Sequence, residues 1–162
     1  MLGLSNSSRK VKTLHSWKAL HKNSPDISAF GRSRLDGKVA YLATLRANGK
    51  PRVHPVKAIL SDNHCFIFAD PESTKVRDFE HNSQFSLHCA MSDSSGSSGE
   101  FQMTGRVVIV DDAALRVEAE QNCTFRPSAR SILYELQVEE AVATSYRGGR
   151  PDRRRWRPDM GS

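Results

Sequence analysis

At 162 residues, with 38% hydrophobic and 26% charged residues, the chain has the length and make-up of one soluble domain able to bury a sizeable core. No apolar run approaches the roughly 20 residues a membrane helix needs, and the first residues run straight into Ser, Asn and bases. Neither a membrane span nor a signal peptide is expected, and a cytoplasmic protein is.

The formal charge of +6 is unevenly placed. Residues 1–22 carry five bases and no acids, residues 147–162 carry six arginines against two aspartates, and the stretch between them has 13 bases against 16 acids. A nucleic-acid-binding fold more often carries its bases as a patch on the body, so no specific nucleic-acid partner is expected. The expected division is a basic N-terminal extension over 1–22, one folded domain over 23–146, and a solvated Arg-rich tail over 147–162. The cysteines, Cys65, Cys89 and Cys123, are far apart, and no Cys-x-x-Cys or His-x-x-x-His spacing occurs. They read as reduced thiols, and no metal site is expected.

In chain order, 16–21 reads as a short helical turn. Ser24-Pro25 then opens a helix that places Ile27, Phe30 and Leu35 on one side and ends at Gly37. Residues 39–45 form a first strand. Asn48-Gly49 supplies a two-residue hairpin turn, and 51–60 returns as a second strand. Residues 64–69 are a third strand. A short helix over 76–81 buries Val76 and Phe79 and stops at Asn82. Strand four is 84–90. Residues 91–99, with five serines and two glycines, form a flexible loop. Strand five is 100–110, with Gly105 marking a bend or bulge. A helix from Asp111-Asp112 to about Gln121 precedes strand six at 131–138, with a continuation through 141–146 left open. Six mostly consecutive strands joined by short turns predict an antiparallel β-barrel with peripheral helices.

The chemistry concentrates between Arg52 and Arg77. Ser73, Thr74 and Lys75 gather hydroxyls and a cation at a helix start, where free backbone N–H groups favour a phosphate. Arg52 and Lys57 lie five residues apart, on opposite faces by strict alternation, unless Pro55 introduces a bulge that turns both toward one ligand. His54 reads either as a satisfied surface histidine or as a group that donates to, or exchanges a proton with, a ligand.

The hairpin Thr44-Leu-Arg-Ala-Asn-Gly-Lys-Pro-Arg-Val-His-Pro-Val56, the strand Phe66 to Phe68, Ser73-Thr74-Lys75 and Thr104-Gly105 together resemble the pyridoxamine 5′-phosphate oxidase-like family, over roughly residues 26 to 146. The resemblance implies a split β-barrel that binds FMN across a homodimer interface. Arg52-Val53-His54-Pro55-Val56-Lys57 keeps the family's Arg-x4-Lys spacing on the flavin-binding strand, and Ser73-Thr74-Lys75 matches its Ser-x-Lys phosphate loop. Implied cofactor-binding positions are Arg52, Val53, His54, Lys57, Ser73, Thr74, Lys75 and Glu100.

Two departures stand out. Gly99-Glu100 occupies the place of an Arg-Gln pair, and the oxidases' C-terminal Arg-x-His substrate motif is missing, so pyridoxamine phosphate oxidation is not carried over. Trp156-Arg157 is similar to aromatic and basic residues that relatives place near the flavin. The resemblance implies an FMN-dependent oxidoreductase acting on a small-molecule substrate or NAD(P)H. The alternatives are a deazaflavin- or haem-binding split barrel and a non-catalytic flavin carrier or stress-response binding protein.

Overall fold

The structure is a computed structural model that describes residues 15–158. The elements run α1 (Trp17–Asn23), α2 (Pro25–Leu35), β1 (Val39–Leu45), β2 (Pro51–Lys57), β3 (Ile59–Leu60), β4 (Cys65–Ala69), α3 (Thr74–His81), β5 (Gln84–Cys89), β6 (Glu100–Ile109), α4 (Ala113–Gln121), β7 (Ile132–Arg147) and β8 (Arg150–Trp156). The strands form one open antiparallel sheet in the order β2-β1-β5-β6-β7-β4-β3, with β8 paired to β7. The sequence pattern predicts six strands and the structure has eight.

Both extra strands have a local cause. The run 51–60 changes partners at Ala58: β2 pairs with β1, whereas Ile59 and Leu60 pair with β4. The expected solvated tail instead returns along β7 after Gly148 and Gly149, whose φ angles of 56° and 78° are the left-handed values a two-residue hairpin requires. Trp156, 4% exposed, anchors the end of β8 in the core, edge-on to His15. The domain boundary expected at residue 146 therefore falls inside the β7–β8 hairpin.

The other hairpin also differs in detail. Asn48 keeps a negative φ and only Gly49 is left-handed, at 82°, so the turn is a three-residue loop closed by Arg46 N–H donating to Lys50 O. At the N-terminal end, most of the 1–22 extension lies outside the described residues, but α1 belongs to the core. Trp17 and Leu20 are fully buried, and Trp17 meets Phe101 at 6.1 Å between ring centroids.

The long β7 is the spine of the sheet. Its 16 residues pair with β6 along one edge, and with β4 and then β8 along the other. Gly105 marks a bulge as expected: the β6–β7 register shifts between Thr104 and Gly105. Helix α4 has a true N-cap, because Asp112 Oδ1 accepts from Leu115 N–H at 3.0 Å. Asp112→Ala should lower stability by about 1 kcal/mol, read as a shifted urea midpoint with an unchanged slope.

Candidate functional site

A buried polar cluster lies where α3 packs against β1 and β2. Helix α3 buries Val76 and Phe79 three residues apart, and Asp78, on a different face of the helix, is also buried, at 4% exposure. Thr44 on β1 stands opposite Arg52 on β2, and Leu42 stands opposite His54. Because alternate residues of a strand share a face, Thr44, Arg52 and His54 all turn toward α3. Thr44 Oγ1 donates to Asp78 Oδ2 at 2.7 Å and lies 3.0 Å from His54 Nε2. Arg52 Nε donates to the same Asp78 oxygen at 3.0 Å.

Lys75 sits one helical turn before Asp78 and completes a basic environment. Its side chain is partly buried, and among the described residues no carboxylate lies within ion-pair distance of it. Burial lowers its pKa, with Asp70 pulling the other way. The His54 pKa is lowered first by burial and then by the charge of Lys75. Asp78 opposes that fall and Arg52 adds to it. At the start of α3, Ser73 occupies the N-cap position but makes no side-chain cap, and its Oγ is buried without a hydrogen-bond partner. A half-buried ammonium, an orphan hydroxyl and the free N–H groups of a helix start are the donors a phosphomonoester would use.

The sequence-predicted positions divide into three groups. Arg52 and His54 meet at Asp78 on α3, one helical turn after Lys75, while Ser73 and Thr74 stand at the start of that helix, with Thr74 exposed at its first residue. Val53 and Lys57 lie on the opposite, outward face of β2, because the β1–β2 register runs unbroken through Tyr41 and Pro55. The alternative, a bulge at Pro55, is absent from this pairing. Two-residue periodicity therefore holds and keeps Arg52 and Lys57 apart. Glu100 begins β6 in a different neighbourhood, where Glu100 Oε2 accepts from Tyr146 Oη at 3.1 Å, and this bond raises the Tyr146 pKa.

Two clefts open on the sheet and share Thr104. One, of about 340 Å³, is lined by His88, Glu100, Thr104, Glu140, Arg153 and Arg155 among others. The second, of about 380 Å³, reaches Thr44, Pro51, Ser86, Thr104 and Gly105. Arg52, Lys57 and Lys75 line neither of them. Only Thr44 links the second cleft to the cluster under α3. Among the described residues no group of His, Cys, Asp or Glu could hold a metal ion, and no helix is long and apolar enough to cross a membrane.

The sequence model of the family described as pyridoxamine 5′-phosphate oxidase matches residues 33–152. The chain belongs to this family. No curated protein matches it. Among solved structures its fold is similar to a heme binding protein from Mycobacterium smegmatis, at TM-score 0.62 and 18% identity, over 78% of this chain and 57% of that one. It is also similar to General Stress Protein 26 from Bacillus anthracis, at TM-score 0.60 and 17% identity, over 80% and 96% of the two chains. An F420 reductase matches at TM-score 0.54 and 16% identity, over 68% and 94%. The chain spans little more than half the length of the first of these. At such identities the shared property is the fold.

Within this pyridoxamine 5′-phosphate oxidase fold, sequence reasoning missed Asp78 and Thr44. An aspartate on a short amphipathic helix and a threonine in a strand carry no signal of their own. Thr44 and Arg52, which both bond to Asp78, lie 34 and 26 residues away from it, so only the packing of α3 on the hairpin reveals the cluster.

Proposed function

We propose that the chain binds FMN and serves as a flavin-dependent oxidoreductase of this family. What carries the reading is the start of α3, where Lys75 is partly buried without a carboxylate partner and Ser73 Oγ has no hydrogen-bond partner, one helical turn before the Asp78 that holds Arg52. When bound, FMN would supply hydride transfer, while the protein supplies binding, orientation and electrostatics. Lys75 and Ser73 would hold the phosphate. Arg52, whose Nε is committed to Asp78, keeps its two terminal nitrogens for an anion. Exposed apolar side chains on the outward face of β1 and β2, Val39 at 40%, Tyr41 at 47% and Val53 at 64%, favour a second copy of the chain as the cover of that face. NAD(P)H or a small organic molecule would be the electron donor.

A second reading, haem or a reduced deazaflavin in the same fold, draws on the solved relatives named for those ligands. Riboflavin separates the readings, because it has the flavin ring without the phosphate. Under the FMN reading, FMN at about 100 times its Kd stabilises the protein by about 2.7 kcal/mol, and equimolar riboflavin does much less. Thermal unfolding in the presence of FMN, riboflavin and haemin makes the test. Equal shifts with FMN and riboflavin, or a shift with haemin alone, would overturn the FMN assignment.

A further inference from the structure

The bonds around Thr44 fix where one proton must sit. A hydroxyl has a single hydrogen to donate and can accept others. Thr44 Oγ1 is 2.7 Å from Asp78 Oδ2, and that oxygen belongs to a carboxylate already receiving Arg52 Nε–H at 3.0 Å. A carboxylate so held can only accept, so the threonine hydrogen lies on the Asp78 side. His54 Nε2, 3.0 Å from the same hydroxyl oxygen, must then bring the hydrogen to that contact. Nε2 therefore carries N–H, and in the neutral ring Nδ1 is left as a lone pair. Nδ1 makes no hydrogen bond among the described residues, and it is not one of the sealed polar atoms. It forms the open edge of a side chain that retains 10% exposure. The ring stays neutral because burial, Lys75 and Arg52 all disfavour the imidazolium, against the opposing pull of Asp78.

We propose that Asp78 and Thr44 are positioning residues that hold His54 as its Nε2–H tautomer, so that Nδ1 is presented to the bound ring as the acceptor for an N–H donor. The ligand part of this inference rests on the flavin reading above. It deepens that reading by assigning His54 the role of acceptor, where the sequence alone leaves open donation to a ring carbonyl.

The tautomer is read in the ligand-free protein. In ¹⁵N-histidine-labelled protein, a two-bond ¹⁵N–¹H correlation spectrum, assigned by comparison with His54→Gln, distinguishes the protonated from the unprotonated ring nitrogen. The expected result is an Nε2–H ring in the wild type and in Thr44→Ser, which keeps the hydroxyl. In Thr44→Val, which keeps the shape and loses the relay, an Nδ1–H population should appear. An Nδ1–H ring in the wild type overturns the proposal, and so does an unaltered Nε2–H ring in Thr44→Val. Should Thr44→Val fail to fold, the wild-type and Thr44→Ser spectra decide alone.

FMN and its N3-methyl derivative then test the acceptor. FMN should move the His54 Nδ1 signal, and the methylated flavin should bind about 3- to 10-fold more weakly. Equal affinities with an unmoved Nδ1 signal overturn the acceptor role. If neither flavin binds, the FMN reading has failed, while the tautomer stands or falls on the ligand-free spectra.

Discussion

Gly105→Ala should be severely destabilising for a reason that lies in the backbone alone. A Cβ at this residue would collide with the Gln137 carbonyl oxygen and come within 2.9 Å of its carbon and 3.1 Å of the Glu139 amide nitrogen. All three atoms are backbone, so no side-chain rotation can relieve the clash. The two strands approach closely here because the register of β6 against β7 shifts between Thr104 and Gly105. The strain falls on β7, which pairs with β4, β6 and β8. A loss of at least about 3 kcal/mol is expected, a large share of the roughly 5–15 kcal/mol that holds an ordinary domain together. For a chain of this length the thermal midpoint should fall by roughly 6–12 °C or more. Chemical denaturation measures the loss directly, and a variant within about 1 kcal/mol of wild type would show that the bulge can open at little cost.

The bulge illustrates what a sequence can disclose. Gly105 is a glycine inside a strand pattern, where it weakens the strand unless the backbone bends or another chain segment comes close, so its role is visible from its position. The strands 39–45 and 84–89 are legible for a similar reason, since their alternation is complete within a few residues. Gly148-Gly149 carries an equally local signal, a two-residue hairpin turn, but six arginines in the last sixteen residues make the segment read as solvated. Charge describes only where side chains end. β8 lies at the margin of the sheet and can keep its arginines outward while Trp156 turns in. Its backbone still hydrogen-bonds to β7.

The candidate site is legible in its cations and obscure in its geometry. Ser73 and Lys75 can be named from the sequence because phosphate chemistry calls for those residue types at a helix start, and Arg52 and His54 because the family resemblance covers their strand. Their sorting onto faces cannot, since it turns on whether Pro55 breaks the β1–β2 register. The role of Asp78 is invisible in the sequence because it arises from contacts across α3, β1 and β2 that no local pattern records.

Lys75→Gln should weaken FMN binding by about 10- to 100-fold, the equivalent of one lost charge-assisted hydrogen bond of about 1.5–3 kcal/mol, while leaving riboflavin affinity nearly unchanged. Glutamine keeps most of the chain length and a donor, so the loss isolates the charge. A flavin-fluorescence titration measures both ligands, and an equal fall for FMN and riboflavin would mean that Lys75 supports the fold and not the phosphate. The pH dependence gives an independent reading. Burial lowers the Lys75 pKa in the free protein, so its charge is lost at a pH below the ordinary lysine value of about 10.4. A bound phosphate favours the charged form and raises that pKa again. FMN affinity should therefore fall as pH rises through the value for the free protein, and level off above the value for the complex. Below neutrality the affinity should fall for a different reason, as the phosphate takes up its second proton near about pH 6. In Lys75→Gln the part of the alkaline fall that riboflavin does not share should vanish, and the acidic fall remain.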